Sequence, residues 1–339
     1  MSYTLAATPE DFRVDEIPLY PLAGHGEHTF VQVEKRLRTT EQVARDLARA
    51  AGVPPRDIGY AGRKDRRAVA TQWLSVPGLA PERALALVLP GASVLAAARH
   101  PHKLRTGHLR GNRFELVVRG VDAALWERGR CRLDACLARG FANRFGAQRF
   151  GWDGGNPARA AEVLRRGAPR GRRREARFLV SALQAQVFNA CLDARALPVD
   201  RVEPGDLAVR HDSGGLFVVE DLERESARAE AFEISATGPV FGTRMPRPAG
   251  AVEAREQRVL REHGIDLAAL RAPTGVSLRG GRRPLRVRPE EVDHALAGDA
   301  LRLRFTLPAG SFATVLVETL LGTPAGSAAH DTGAERAVC

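Results

Sequence analysis

The chain has 339 residues, 44% of them hydrophobic, enough for a substantial core and, at this length, for two domains. Lysine and arginine number 51 against 40 acidic residues, a formal net charge of +11 that favours a polyanionic partner and speeds encounter with it. No stretch approaches the roughly 18 apolar residues that read as a membrane span. The opening MSYTLAATPEDFRVDE lacks the basic head and apolar run of a secretory leader, so the expected compartment is the cytoplasm, with reduced cysteines.

Near the start, FRVDEIP precedes HTFVQVEKR, a short alternating run whose apolar and polar side chains take opposite faces of a strand. Thr39 and Thr40 then lead into EQVARDLARAAG, the pattern of a helix start, an amphipathic helix and a glycine stop. Next comes DIGYAGRKDRRAVATQWLSVPG. YAG reads as a strand end, RKDRRA as a loop entering a short helix, and TQWLSV as a further strand. Asp65 is thereby expected on a connection between two strands, a place where loops carry chemistry on a rigid frame. PERALALVL carries helix signals, and RGNRFELVVRG is a strand with Phe114, Leu116 and Val118 on one face. WERGRCRLDACLARG reads as a helix ending at Gly140. FANRFGAQRFGW matches neither period and reads as a shaped loop.

Texture changes at Gly151. A glycine-rich turn leads into a dense positive run, then a long helix over SALQAQVFNACLDARA. DRVEPGDLAVRHDSGGLFVVED has the turn signals of a small β element. PVFGTRMPRPAG reads as a rigid loop and VEAREQRVLREHG as a helix. LRGGRRPLRVRP and ALRLRFTLPAGSFATVLVETLLG read as strands before a last helix, and GSAAHDTGAERAVC as a disordered tail. The differing texture of the middle makes an inserted domain the economical organisation. No amphipathic repeat demands a second copy, so a monomer is expected.

Among chemistry-bearing residues, Asp65 stands out. Arg63, Lys64, Arg66 and Arg67 surround it. The plain alternative is a solvated charged turn. The functional one is a carboxylate kept ionised by cations, able to act as a nucleophile or to steer a sugar cation, with the arginines seating a phosphate backbone. The chain is nearly lysine-free: Lys35, Lys64 and Lys103 are its only lysines, and one of them adjoins Asp65. In the shaped loop, Phe145 is placed either to fill the core or to stack on a base. Arg166, Arg170, Arg172, Arg173 and Arg174 lie in a run too dense in charge to be buried, and are candidates for phosphate contact. Cys131, Cys136, Cys191 and Cys339 form no CxxC pair, and the Cys131 and Cys136 spacing lacks a second pair or nearby histidines, so no metal is expected.

Seven ordered blocks, PEDFRVDE, GYAGRKDRRAVATQWLSV, RGNRFELVVR, FANRFGAQRFG, FLVSALQAQVFNACLDAR, GPVFG and LRFTLPAGSFATVLVETLL, resemble the TruD family, synthases that form pseudouridine at position 13 of transfer RNA. They span nearly the whole chain. The resemblance implies an α+β fold: the pseudouridine synthase catalytic domain, a mixed and largely antiparallel sheet flanked by helices, with a family-specific α+β domain inserted. By that pattern residues 1–151 begin the catalytic domain, 152–272 are the insert, 273–325 return to the catalytic domain, and 326–339 are the tail. The family's catalytic aspartate maps to Asp65 in AGRKD. Among substrate-binding positions, the preceding lysine maps to Lys64, the aromatic of NxFG to Phe145 with Asn143 beside it, and the acidic end of PEDFxVxE to Glu16. Where relatives commonly have a lysine, four residues before Glu10, this chain has Ala6. The implied partner is transfer RNA. The implied isomerisation requires no cofactor, because no atom is gained or lost. An RNA methyltransferase would also be basic and two-domain, but would carry a glycine-rich cofactor turn or a knotted equivalent. A non-catalytic RNA binder would have no need of Asp65.

Overall fold

The structure is a computed structural model that describes residues 3–151, 153–168, 170–271 and 276–323. The chain begins with β1 (Thr4–Leu5), β2 (Phe12–Pro18), β3 (His28–Lys35), α1 (Thr40–Ala51), β4 (Gly59–Tyr60), β5 (Val69–Pro77), α2 (Pro81–Leu85), β6 (Ala92–His100), β7 (Leu109–Arg119) and α3 (Ala123–Arg139). It continues with β8 (Phe141–Ala142), α4 (Asn156–Arg166), α5 (Arg173–Asp193), β9 (Leu207–Arg210), β10 (Leu216–Val218), α6 (Leu222–Glu230), β11 (Ile234–Val240) and α7 (Gly250–Glu262). Then come β12 (Gly281–Pro284), β13 (Arg286–Val287), β14 (Glu290–Ala297), β15 (Ala300–Pro308) and α8 (Ala313–Leu321).

The described residues gather into two compact units. The first contains those up to Cys131, Pro289–Gly310 and the stretch from Leu320; the second contains those from Arg132 to Arg288 and Ser311–Thr319. This division by contact lies elsewhere than the expected limits at 152 and 272. Within the second unit β8 pairs with β13, Phe141 opposite Val287, which ties residues before 152 to residues after 272. The expected tail, 326–339, lies outside the described residues.

The first unit is built on one sheet in the order β14-β15-β7-β2-β5-β3-β6, with β1 added to β7 and β4 to β5. Every pairing is antiparallel except β2 with β5. Phe114, Leu116 and Val118 of β7 lie opposite Phe305, Leu303 and Leu301 of β15, and all six are buried. The last third of the chain thus returns to the first sheet. On α1, Val43, Ala44, Leu47 and Ala48 recur at helical spacing and pack against Val31 and Val33 of β3 and Leu74 and Val76 of β5. The helix starts where Thr39 accepts a hydrogen bond from the Gln42 amide and stops at Gly52, whose φ of 71° suits glycine. The short helix expected after Asp65 is absent. Val69 and Ala70 are already paired with Arg13 and Val14 of β2, and strand pairing claims the residues that a helix would have used.

In the second unit α5 has two buried faces. Ala176, Val180, Leu183 and Val187 pack with residues of α4 and α7, while Phe188 and Leu192 cover the sheet β10-β9-β11-β12 through Ala208, Ile234, Ala236 and Leu285. The DSGG turn joins β9 to β10 as a hairpin, as its composition predicts. Among the described residues no helix is long and apolar enough to cross a membrane.

Candidate active site

Asp65 lies in the loop between β4 and β5, two strands that pair with each other, Gly59 opposite Ser75 and Tyr60 opposite Leu74. The loop base is tightly built. A Cβ on Gly59 would come 2.3 Å from the Leu104 carbonyl oxygen and 2.4 Å from Ser75 Oγ, so only glycine fits there. The Ser75 hydroxyl accepts from the Leu104 amide at 2.9 Å, and the Gly107 amide donates to the Ala61 carbonyl at 2.8 Å. The segment between β6 and β7 thereby braces the strand that enters the loop.

Within the loop, successive side chains point opposite ways. Lys64 is buried and Asp65 is exposed. The Lys64 amide donates to Thr40 Oγ1 at 3.0 Å, and that hydroxyl donates to Gln72 Oε1 at 2.8 Å. The Lys64 ammonium donates to Glu16 Oε2 at 2.6 Å; Glu16 Oε1 in turn accepts from the Trp73 amide at 3.3 Å. The Asp65 carbonyl accepts from the Lys35 ammonium at 2.5 Å, and the Asp65 carboxylate accepts from the Arg67 amide at 2.9 Å. The loop is therefore tied to β2, β3, α1 and β5, with one carboxylate left facing outward.

The four cations expected around Asp65 divide their roles. Lys64 turns inward to Glu16. Arg63 pairs with Glu41 at 2.6 Å, and Arg66 donates to the Leu37 carbonyl at 3.3 Å. Arg67 is exposed beside the carboxylate it caps through its backbone. The sequence reading missed Lys35, Thr40 and Gln72. For Lys35 a signal existed: it is one of three lysines in an arginine-rich chain. Burial pushes its ammonium down to about 8, with Lys64 acting the same way and Asp65 and Glu41 opposing.

The second unit holds Asn143 and Phe145. Both backbone groups of Phe145 are clamped by one side chain: its amide donates to Asn189 Oδ1 at 2.9 Å, and Asn189 Nδ2 donates to its carbonyl at 3.0 Å. The half-buried ring lies edge-on to Phe188 and Phe312, with centroids 5.4 Å and 5.8 Å away. The Arg283 guanidinium lies 4.1 Å from its centroid. Arg283 donates to the Asn143 carbonyl at 3.0 Å and to Asn143 Oδ1 at 2.5 Å; Asn143 Nδ2 donates to the Pro284 carbonyl at 3.0 Å. Asn143 is thus a buried brace, and Arg283, which sequence reasoning did not single out, is the cation that orients the aromatic ring. Burial, with Arg149 nearby, pushes Arg283 down to about 10.

The arginine run is exposed, as its density requires. Arg166 pairs with Glu162 at 2.5 Å and Arg172 with Glu175 at 3.6 Å; Arg170, Arg173 and Arg174 are exposed at or just before the first turn of α5. Cations there oppose the helix dipole, so they reduce helix stability. Among the described residues no group of three histidine, cysteine or acidic side chains is arranged to hold a metal ion.

Comparison with known proteins agrees with the resemblance read from the motifs. A sequence model of the family described as tRNA pseudouridine synthase D (TruD) matches residues 1–171 and 172–320. A tRNA pseudouridine synthase D of Anaeromyxobacter dehalogenans is 45% identical, over 93% of this chain and 92% of the relative. That of Geobacter sulfurreducens is 38% identical over 95% and 94%, and that of Thermus thermophilus 43% identical over 92% and 87%. In fold, the chain is similar to the crystal structure of a putative tRNA pseudouridine synthase D from Methanosarcina mazei, with a TM-score of 0.70 and 21% identity over 95% of this chain and 94% of the other.

Proposed function

The chain belongs to the tRNA pseudouridine synthase D (TruD) family, and on that premise we propose that it isomerises uridine 13 of transfer RNA to pseudouridine, with Asp65 as its catalytic carboxylate. The observation that carries the assignment is the mounting of Asp65: an outward carboxylate on a loop whose backbone is bonded by Lys35 and Thr40 and whose Lys64 side chain is anchored by Glu16, three side chains from three elements. Catalysis that must place a carboxylate against one sugar carbon depends on such positioning.

In this reaction the N1–C1′ bond of uridine breaks, the uracil turns, and C5 joins C1′. The proton on C5 is released and N1 regains one, so the product is an isomer of the substrate. An ionised Asp65 serves as nucleophile toward C1′ or as base toward the C2′ proton; both routes need the charge and neither needs a cofactor. The uridine must first leave its stack, at a cost of a few kcal/mol, roughly, that contacts along the RNA backbone offset. Phe145 stacks on the target uracil, with Asn143 and Arg283 fixing its loop and ring. Lys64 and Glu16 serve by holding the loop that carries Asp65.

Arg63, Arg66 and Arg67 flank the carboxylate on the surface, where they meet the phosphates of the target strand. Arg166, Arg170, Arg172, Arg173 and Arg174 take backbone phosphates elsewhere on the same RNA. What supports this is their exposure and the placement of Arg172, Arg173 and Arg174 at a helix start that they destabilise. The enzyme acts as a cytoplasmic monomer, with 152–272 as the family's insert between catalytic segments 1–151 and 273–325.

A transfer RNA transcript labelled with tritium at uridine C5 tests the assignment. Release of tritium from the wild-type transcript, lost when position 13 is cytidine, is the expected result. Release that survives the change to cytidine would refute the position.

A further inference from the structure

Lys35 closes β3, on the strand between β5 and β6. Its side chain is 1% exposed, one of the largest fully buried groups in the protein. Its cross-strand neighbours are Ala70 and Ala92, small and uncharged, which leave a slot beside the strand for a long unbranched chain. The ammonium at the end of that chain reaches the Asp65 carbonyl oxygen at 2.5 Å. The charged groups that face it are Asp65 and Lys64 on the loop and Glu41 on α1. Two of the chain's three lysines are thus spent on one loop, in a protein that otherwise uses arginine. A guanidinium is planar and bulkier than an ammonium, and does not replace a point charge at the end of a closed slot.

We propose that Lys35 is a positioning residue for Asp65: its buried ammonium, bonded to the Asp65 carbonyl oxygen, fixes the backbone that carries the carboxylate and holds a positive charge beneath it. The inference rests on the reading of Asp65 as the catalytic carboxylate. A buried cation is retained at a stability cost when something else depends on it. Here the dependent feature is the direction of one exposed side chain. The charge is present while the amine is protonated and is lost as pH rises through about 8. Turnover is expected to follow that loss, whereas attraction for RNA, which is spread over many surface arginines, is not.

The test compares wild type, Lys35→Met and Asp65→Asn in single-turnover tritium release from transfer RNA between about pH 6 and pH 10, with thermal melting and RNA affinity measured alongside. Methionine matches the length and fills the slot without charge. Wild type is expected to lose rate above about pH 8. Lys35→Met is expected to turn over about a hundredfold more slowly at pH 7, to lack the alkaline fall, to bind RNA as wild type does and to melt at a higher temperature. A lysine of merely structural importance would lower the melting temperature on removal. A wild-type rate in Lys35→Met, or an alkaline fall that persists in it, overturns the proposal. If Lys35→Met does not fold, the proposal is overturned too, since it requires a slot that tolerates an uncharged chain. An inactive Asp65→Asn with a fully active Lys35→Met defeats this inference alone; an active Asp65→Asn defeats the reading beneath it as well.

Discussion

The ammonium of Lys64 and the carboxylate of Glu16 lie 2.6 Å apart with side chains only 6% and 1% exposed, so the residue next to Asp65 is committed to the interior. Leaving one member of such a pair buried alone costs about 3–5 kcal/mol, whereas replacing both with apolar groups of like size is often near neutral. Glu16→Gln and Lys64→Met should each lower the melting temperature clearly. Lys64→Met with Glu16→Leu should recover much of the loss. Thermal denaturation of the four proteins measures this. Single variants as stable as wild type would show that the pair does not anchor the loop.

Phe145→Leu keeps apolar volume and removes the ring face. If the ring stacks on the target base, single-turnover catalysis should fall by roughly 1–3 kcal/mol of stacking energy while melting stays cooperative. The Phe188 and Phe312 edges and the Arg283 guanidinium that surround the ring should make Arg283→Lys a weaker version of the same defect, since a lysine lacks the planar face and the paired hydrogen bonds to the Asn143 carbonyl and side-chain oxygens. Full activity in Phe145→Leu would return the ring to a packing role.

The arginine run should reveal itself in salt dependence. Alanine at Arg170, Arg173 and Arg174 should weaken RNA binding and flatten its log–log salt slope by at most about one unit per lost contact. Arg166 and Arg172 should matter less than Arg170 and Arg173, because Glu162 and Glu175 already neutralise part of their charge. Filter binding across salt concentrations separates these outcomes; an unchanged slope in the triple variant would mark a solvated charge run.

Lys35 also predicts a stability trend of opposite sign to its effect on rate. Its folded-state value of about 8 lies below the roughly 10.4 of an exposed lysine, so the unfolded chain holds the proton more tightly. Below about pH 8 both states are charged and the folded state bears the full cost, at most about 3 kcal/mol; the cost is relieved as pH rises from about 8 to about 10.4. The melting advantage of Lys35→Met over wild type should therefore be largest below pH 8 and shrink across that window. An advantage independent of pH would contradict the burial of a charged amine.

Much of this was legible in the sequence because it is local. The Thr39 cap, the Gly52 stop, the DSGG hairpin and the β7 face of Phe114, Leu116 and Val118 are each determined within a dozen residues. Asp65 was placed on an inter-strand loop for the same reason. What escaped is what depends on distant partners. Lys64 was read as part of a cationic surface, yet its partner Glu16 is 48 residues away in sequence. Lys35 shares a face of β3 with the buried Val31 and Val33, but the carbonyl that its ammonium meets lies in a loop 30 residues later. Arg283 meets Asn143 across 140 residues. The helix expected after Asp65 failed because pairing of β5 with β2, which no local pattern announces, takes the same residues.

The most direct test of the central claim is single-turnover tritium release by Asp65→Asn, with binding of unmodified transfer RNA measured on the same protein. The substitution preserves size and removes the charge that either chemical route requires. The exposed carboxylate accepts a hydrogen bond from the Arg67 amide within its own loop, and the asparagine amide oxygen replaces that acceptor, so the fold should persist. The predicted result is RNA binding at least as tight as wild type with no pseudouridine formed. Intact turnover in Asp65→Asn would contradict the account.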